Sequence, residues 1–163
     1  MCCQMADYNN FIQLQFALNN QIALALDNTM GRLLTELQNI IEDVVYGWES
    51  PSANPWSVNR TGQFLDSWQK EYPTLIGNIM TGEINQAMEI MKQFAIGSVQ
   101  VHGDRENLAD IIETGDGYTF GECDESRDFW NPFIQYVDEN LENIFFEECI
   151  KLDLPLMRAF RII

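Results

Sequence analysis

The chain has 163 residues, a formal net charge of −16 from 25 acidic against nine basic residues, and 46% hydrophobic content with four Trp and ten Phe. So much apolar and aromatic side chain excludes a disordered segment and suffices for one packed core. The charge argues against wrapping duplex DNA by phosphate neutralisation, which needs clustered Lys and Arg, and leaves open a surface that repels nucleic acid or one that imitates it.

Cys2, Cys3, Cys123 and Cys149 contain no C-x-x-C pair, and the two adjacent ones suit neither a disulfide nor a zinc site. Met1 to Ala6 carries no basic region followed by an apolar run, and no apolar run is long enough to span a bilayer. The expectation is a protein folded in a reducing cytoplasm, with no membrane partner and no cofactor.

From about Asn9 to Trp48 the periodicity is helical. Phe11, Leu14, Leu18, Ile22, Leu26, Leu33, Leu37, Ile40, Val44 and Trp48 recur at three- and four-residue steps, with Asp7 or Asn9 as the N-cap. Such a helix would be on the order of 55–60 Å long, more than a domain of this size is wide, so it projects or breaks. Asn28-Thr29-Met30-Gly31 is the expected kink or break. Phe16, Leu24, Ala25, Met30 and Leu34 widen the apolar stripe, which suits either deep burial or a second face against a neighbouring subunit.

Glu49 to Asn59, with Pro51 and Pro55, reads as a loop. Arg60, Thr61 and Gly62 then form a polar turn, and Phe64, Leu65 and Trp68 supply apolar bulk on either a helical turn or a strand. By its residues alone this stretch joins two elements and anchors Trp68 in the core. Tyr72-Pro73 stops any helix. Leu75 to Ile84 suits two short strands around a turn, Glu83 to Phe94 has helical spacing, and Val99 to Val101 is strand-like.

Asp104 to Glu148 holds fourteen Asp and Glu against Arg105 and Arg127, so 2 − 14 = −12, most of the excess charge. Leu108, Ile111 and Ile112 have helical spacing, and Gly115, Gly117 and Gly121 mark a loop. A last helix is expected from about Arg127 to Leu152, with Ser126 as N-cap, Asp128 favourable to its dipole and Pro132 in its first turn. Phe129, Phe133, Val137, Leu141, Ile144, Phe145 and Ile150 form its buried stripe, and Asp138, Glu139, Glu142 and Glu147 its wet face.

The end of the chain differs in kind. Residues 153–163 carry a net +1, and Arg158 and Arg161 stand among Leu154, Leu156, Met157, Phe160, Ile162 and Ile163. This basic apolar segment either clasps a neighbour's acidic surface or folds back on its own body. The reading is an α+β protein with a long N-terminal helix, a small antiparallel sheet, a C-terminal helix and an extended tail. Residues 1–153 form one domain and 154–163 an interaction tail.

Catalytic patterns are absent. His102 is the only histidine and sits beside Gly103 in a turn. Asp104, Glu106 and Asp110 lack the alternating oxygen ligands of an EF-hand, and Asp116, Glu122, Asp124 and Glu125 read as a solvated charge run. There is no P-loop, G-x-S-x-G or G-x-G-x-x-G.

Three segments in order resemble the tail-completion and neck (head–tail connector) proteins of tailed bacteriophages. They are Asn59-Arg-Thr-Gly-Gln-Phe-Leu-Asp-Ser-Trp68, Arg105-Glu-Asn-Leu-Ala-Asp-Ile-Ile-Glu-Thr-Gly115 and Arg127-Asp-Phe-Trp-Asn-Pro-Phe133. Arg60, Thr61, Gly62, Leu65, Ser67 and Trp68 follow an R-T-G-x-L-x-x-S-type pattern, from which Phe64 departs as if inserted. Phe129, Trp130, Pro132 and Phe133 follow the aromatic-proline-phenylalanine lead-in to a last helix.

The resemblance implies a non-enzymatic virion component, assembled in the host bacterial cytoplasm. Such proteins form homo-oligomeric rings, commonly of six or twelve subunits, against the portal or an adjacent neck or tail protein, and DNA passes through without specific binding. Head-to-tail rings need two complementary patches per subunit, and the tail and the acidic body suit that need. Asp138, Glu139 and Glu142 are then expected at the lumen or on an acidic rim, where carboxylates repel phosphate. An acidic DNA mimic that inhibits a nucleic-acid enzyme is the alternative, supported by carboxylate density alone.

Overall fold

Leu, Ala, Gln and Met dominate the stretch Phe11–Ile41, no proline interrupts it, and it forms one α-helix of 31 residues, α1. That is a rod about 46 Å long at 1.5 Å per residue. The computed structural model describes residues 11–47, 63–87, 108–114 and 126–152. Within them α1 is continued by a π turn, Glu42–Tyr46, closed by the Gly47 amide donating to the Glu42 carbonyl. There follow a single turn α2 (Gln63–Asp66), strands β1 (Trp68–Ile76) and β2 (Ile79–Gln86), a short helix α3 (Leu108–Thr114) and the last helix α4 (Trp130–Lys151). The architecture is α+β: two long helices with a two-stranded antiparallel sheet.

The expected weak point at Asn28–Gly31 does not break α1. Thr29, wholly buried, donates its hydroxyl to the Ala25 carbonyl at 2.8 Å, and Thr35 donates to the Gly31 carbonyl at 3.0 Å. These local bonds keep the polar side chains inside the helical pattern. Gly31 lies where Lys70 of β1 crosses, and that ammonium pairs with the Asp27 carboxylate and donates to the Asp27 carbonyl. The irregular turn comes eleven residues later, at Glu42–Tyr46.

The hairpin is longer than its sequence suggests. Pairing runs from Trp68↔Gln86 to Ile76↔Ile79, and Gly77, at φ +64°, opens the two-residue turn that closes it. Tyr72 and Pro73 form a bulge opposite Gly82, which accommodates the missing proline N–H. Glu83 to Gln86, expected as the start of a helix, is therefore strand. The spacing of Ile84 and Ala87 also fits a strand end, and cross-strand pairing decides between the two.

Both the hairpin and α4 pack on α1. The larger core cluster brings Met30, Leu33, Leu37, Ile41 and Val45 together with Phe64, Trp68, Ile112, Phe129, Phe133 and Ile144, and a smaller one holds Ala25 and Cys149. Gly82 is what lets β2 lie down on the helix. A Cβ there would stand 3.0 Å from Met30 Cγ and 3.3 Å from Leu26 Cγ. Gly82→Val is expected to lower stability by about 1–3 kcal/mol through overpacking, measured by urea unfolding. Unchanged stability would show that β2 does not press on α1.

Candidate interaction surface

Two of the sequence segments that carry the family resemblance meet in space. Trp68 packs edge-on against Phe64 (centroids 6.0 Å apart) and Phe129 (6.2 Å), and stacks on Trp130 at 5.8 Å, while Phe133 closes on Trp130 at 5.5 Å. Ser67, fully buried, donates to the Phe64 carbonyl and accepts from Gln86 Nε2, so the turn before β1 is tied to the end of β2. Arg127 is buried, Leu65 partly so, and Pro132 is exposed. These residues hold the fold together; their packing accounts for them without a ligand.

The start of α4 corrects the expected cap. The helix begins at Trp130, not Arg127, and Phe129 at the cap position offers no side-chain acceptor. Ser126 donates its hydroxyl to the Glu113 carbonyl instead. The caps come from carboxylates: Glu113 of α3 accepts the Phe129 and Trp130 amides at 3.1 and 3.3 Å, and Asp128 accepts the Asn131 amide at 3.0 Å. Burial, then the hydrogen bond with Asp128, pushes the Glu113 carboxyl up; the Asn131 amides hold Asp128 down.

At its other end α4 is clamped to α1 by charge. Glu148, 4% exposed, accepts from Lys151 at 2.6 Å, from Arg32 at 3.2 Å and from Asn28 at 3.4 Å, and Arg32 also reaches Glu147 at 2.7 Å. Lys151, then Arg32, holds the Glu148 carboxyl below its usual range. Beside it the Cys149 thiol is pushed up, by burial first and by the Glu148 charge second. That shift works against a reactive thiolate.

Between these two anchorages lies an open groove of about 430 Å³. Ile22 and Leu26 of α1 and Met80 of β2 form one wall; Val137, Leu141 and Phe145 of α4 form the other. Asp138 and Glu142, one helical turn apart, stand on its α4 side. Other apolar side chains of α1 are exposed outside the groove: Phe16 is 67% and Leu24 41% exposed, and Phe11 and Ile12 are exposed nearer its start. The hairpin tip exposes Leu75, Ile76 and Ile79, and α4 exposes Ile134, Phe146 and Ile150. Exposed apolar side chains on every long element mark a surface suited to protein contacts.

Of the expected site residues, Asp138, Glu139 and Glu142 are exposed on α4, but only Asp138 and Glu142 border the groove; Glu139 lies about 100° round the helix from Asp138. Of the expected buried stripe, Leu141 and Ile150 are exposed. Arg60, Thr61 and Gly62, the tail residues from Leu154 to Ile163, the Asp7 or Asn9 cap, His102, Trp56 and the acidic loop lie outside the described residues. Among the described residues no group of three or more His, Cys, Asp or Glu is placed to hold a metal ion. Among those same residues no helix is long and apolar enough to cross a membrane. Met80 was invisible as a groove residue, because only the docking of β2 on α1 brings it beside α4. No family model, curated protein or solved structure matches this chain.

The clamp has a pH signature. The Glu148 carboxyl is lower in the folded state than in the unfolded chain, so its stabilisation is complete above the ordinary carboxylate range and is lost as the pH falls through the lowered value. Glu148→Gln is expected to cost about 1–2 kcal/mol at neutral pH, given that Arg32 and Lys151 are partly solvated. The deficit should shrink as the pH falls through the lowered value. Urea unfolding of both proteins from neutral to acid pH measures it, and a deficit independent of pH would contradict the charge clamp.

Proposed function

We infer that the chain is a non-enzymatic subunit of a bacteriophage neck, a tail-completion protein that assembles in a ring between portal and tail around the DNA path. The observation that carries the reading is the pairing, in one aromatic cluster, of the two segments that most resemble that family, Phe64–Trp68 and Phe129–Phe133. A family signature made of distant segments gains weight when those segments pack on each other. The surface fits the role. Apolar side chains are exposed along α1, at the hairpin tip and on α4, as ring contacts require, and α4 carries Glu139 and Glu147 exposed and away from the groove that Asp138 and Glu142 border.

A carboxylate wall lets DNA pass, because phosphate is repelled within about 10 Å at moderate salt. Three cations of the described body are paired with carboxylates of the same chain: Lys70 with Asp27, Arg32 and Lys151 with Glu148. Native mass spectrometry of the full-length chain, alone and with the portal of its virion, is expected to give a closed ring of six or twelve subunits. Antibody labelling should place the chain at the virion neck. A protein that stays monomeric with the portal, is missing from virions and binds a nucleic-acid enzyme with steep salt dependence would be a DNA mimic.

A further inference from the structure

We propose that the groove between α1, β2 and α4 is the receptor for the C-terminal segment, residues 154–163, of a second copy of this chain, with Arg158 and Arg161 meeting Asp138 and Glu142. The proposal rests on the reading of the chain as a self-assembling subunit, and it names the two surfaces that meet.

The chemistry of the two sides matches. The groove walls are aliphatic and aromatic, from Ile22, Leu26, Met80, Val137, Leu141 and Phe145, and two carboxylates stand on one side only. The segment is the chain's one stretch that is both basic and apolar: Leu154, Leu156, Met157, Phe160, Ile162 and Ile163 accompany Arg158 and Arg161 with no acidic residue among them. The rest of the chain carries −17, since the whole is −16 and residues 153–163 contribute +1. Two such bodies repel, so an approach needs a cationic element, and the guanidinium pairs well with a carboxylate beside an apolar floor.

The same segment on its own body is the poorer fit. Arg158 lies six residues past Leu152, a reach of at most about 20 Å. Glu142 lies ten residues back along α4, about 15 Å away, so a return would use Leu154 and Leu156 to reverse the chain rather than to cover the groove. Leu152 itself packs beside Phe145, Leu18 and Ala25 at the end of α4. A neighbour's segment enters without a reversal and is free to lay its apolar residues along the walls. One groove and one segment per subunit give a head-to-tail contact, the type that closes into rings.

Charge exchange tests this on full-length protein. One variant carries Arg158→Glu and Arg161→Glu, another Asp138→Lys and Glu142→Lys; Asp138 and Glu142 are exposed or lie at an open groove, and circular dichroism and thermal unfolding check that each variant folds. Each alone is expected to self-associate roughly tenfold or more weakly than the parent by analytical ultracentrifugation. Mixed in equal amounts they should recover association, because each supplies the partner the other lacks. The chain with all four changes should recover it too.

Recovery by the four-change chain without recovery in the mixture would put the segment in its own groove and overturn the proposal. So would association unaltered in either variant, or a parent chain that does not self-associate. The neck reading falls separately. If the mixture recovers association but the parent forms no ring and is missing from virions, the docking stands and the neck assignment fails. If rings persist in both single-sided variants, the docking fails and the ring stands.

Discussion

A helix of 31 residues with an apolar stripe wider than one face has to be covered from more than one side, and α1 is covered by two elements that meet each other at the aromatic cluster of Trp68 with Phe129 and Trp130. The hairpin takes the side of Asp27, Met30 and Gly31; α4 takes the side of Ala25, Asn28 and Arg32. Each is held by the same pair of devices, a close apolar approach and an ion pair reaching across. For the hairpin these are Gly82 against Met30 and Lys70 on Asp27; for α4 they are Cys149 against Ala25 and Arg32 on Glu148. The groove is the seam between the two coverings, and it exists because neither is wide enough to close it.

Charge explains why the seam stays polar on one side. With 25 acidic and nine basic residues, the chain cannot neutralise its own surface. Three of the cations in the described residues are committed to Asp27 and Glu148, where burial makes an unpaired carboxylate costly, and one of them, Arg32, also reaches the exposed Glu147. Carboxylates at the helix start are used otherwise: Glu113 and Asp128 take up backbone amides at the positive end of α4. Asp138 and Glu142 have neither use, and that sets them apart from the acids that serve the fold.

The parts of the fold that repeat locally were legible. Three- and four-residue spacing located α1 and α4, and the Leu75 to Ile84 pattern located the hairpin. What failed was decided at a distance. The strands extend to Trp68 and Gln86 because a bulge at Tyr72–Pro73 absorbs the residue that looked like a stop. The first two amides at the N-terminus of α4 are capped from α3, with Asp128 serving only the Asn131 amide, and Ser126 bonds to the Glu113 carbonyl instead. A cap supplied by a side chain sixteen residues away leaves no mark in the local sequence. The candidate site divides the same way. Asp138 and Glu142 were recognisable as a wet face, whereas the groove beside them depends on Met80 arriving from β2.

Aromatic residues show how far a short motif can be trusted. Trp68 and Trp130 stack with their planes 27° apart, and Phe64, Phe129 and Phe133 close around them. The indole nitrogen of Trp68 is buried and meets no acceptor among the described residues. The cluster's residues are engaged with one another, and what they fix is the relative placement of β1 and the start of α4. Function on this chain therefore has to be sought on the outside of the frame the cluster fixes. There the seam beside α4 offers an apolar floor and two carboxylates that the fold itself does not use.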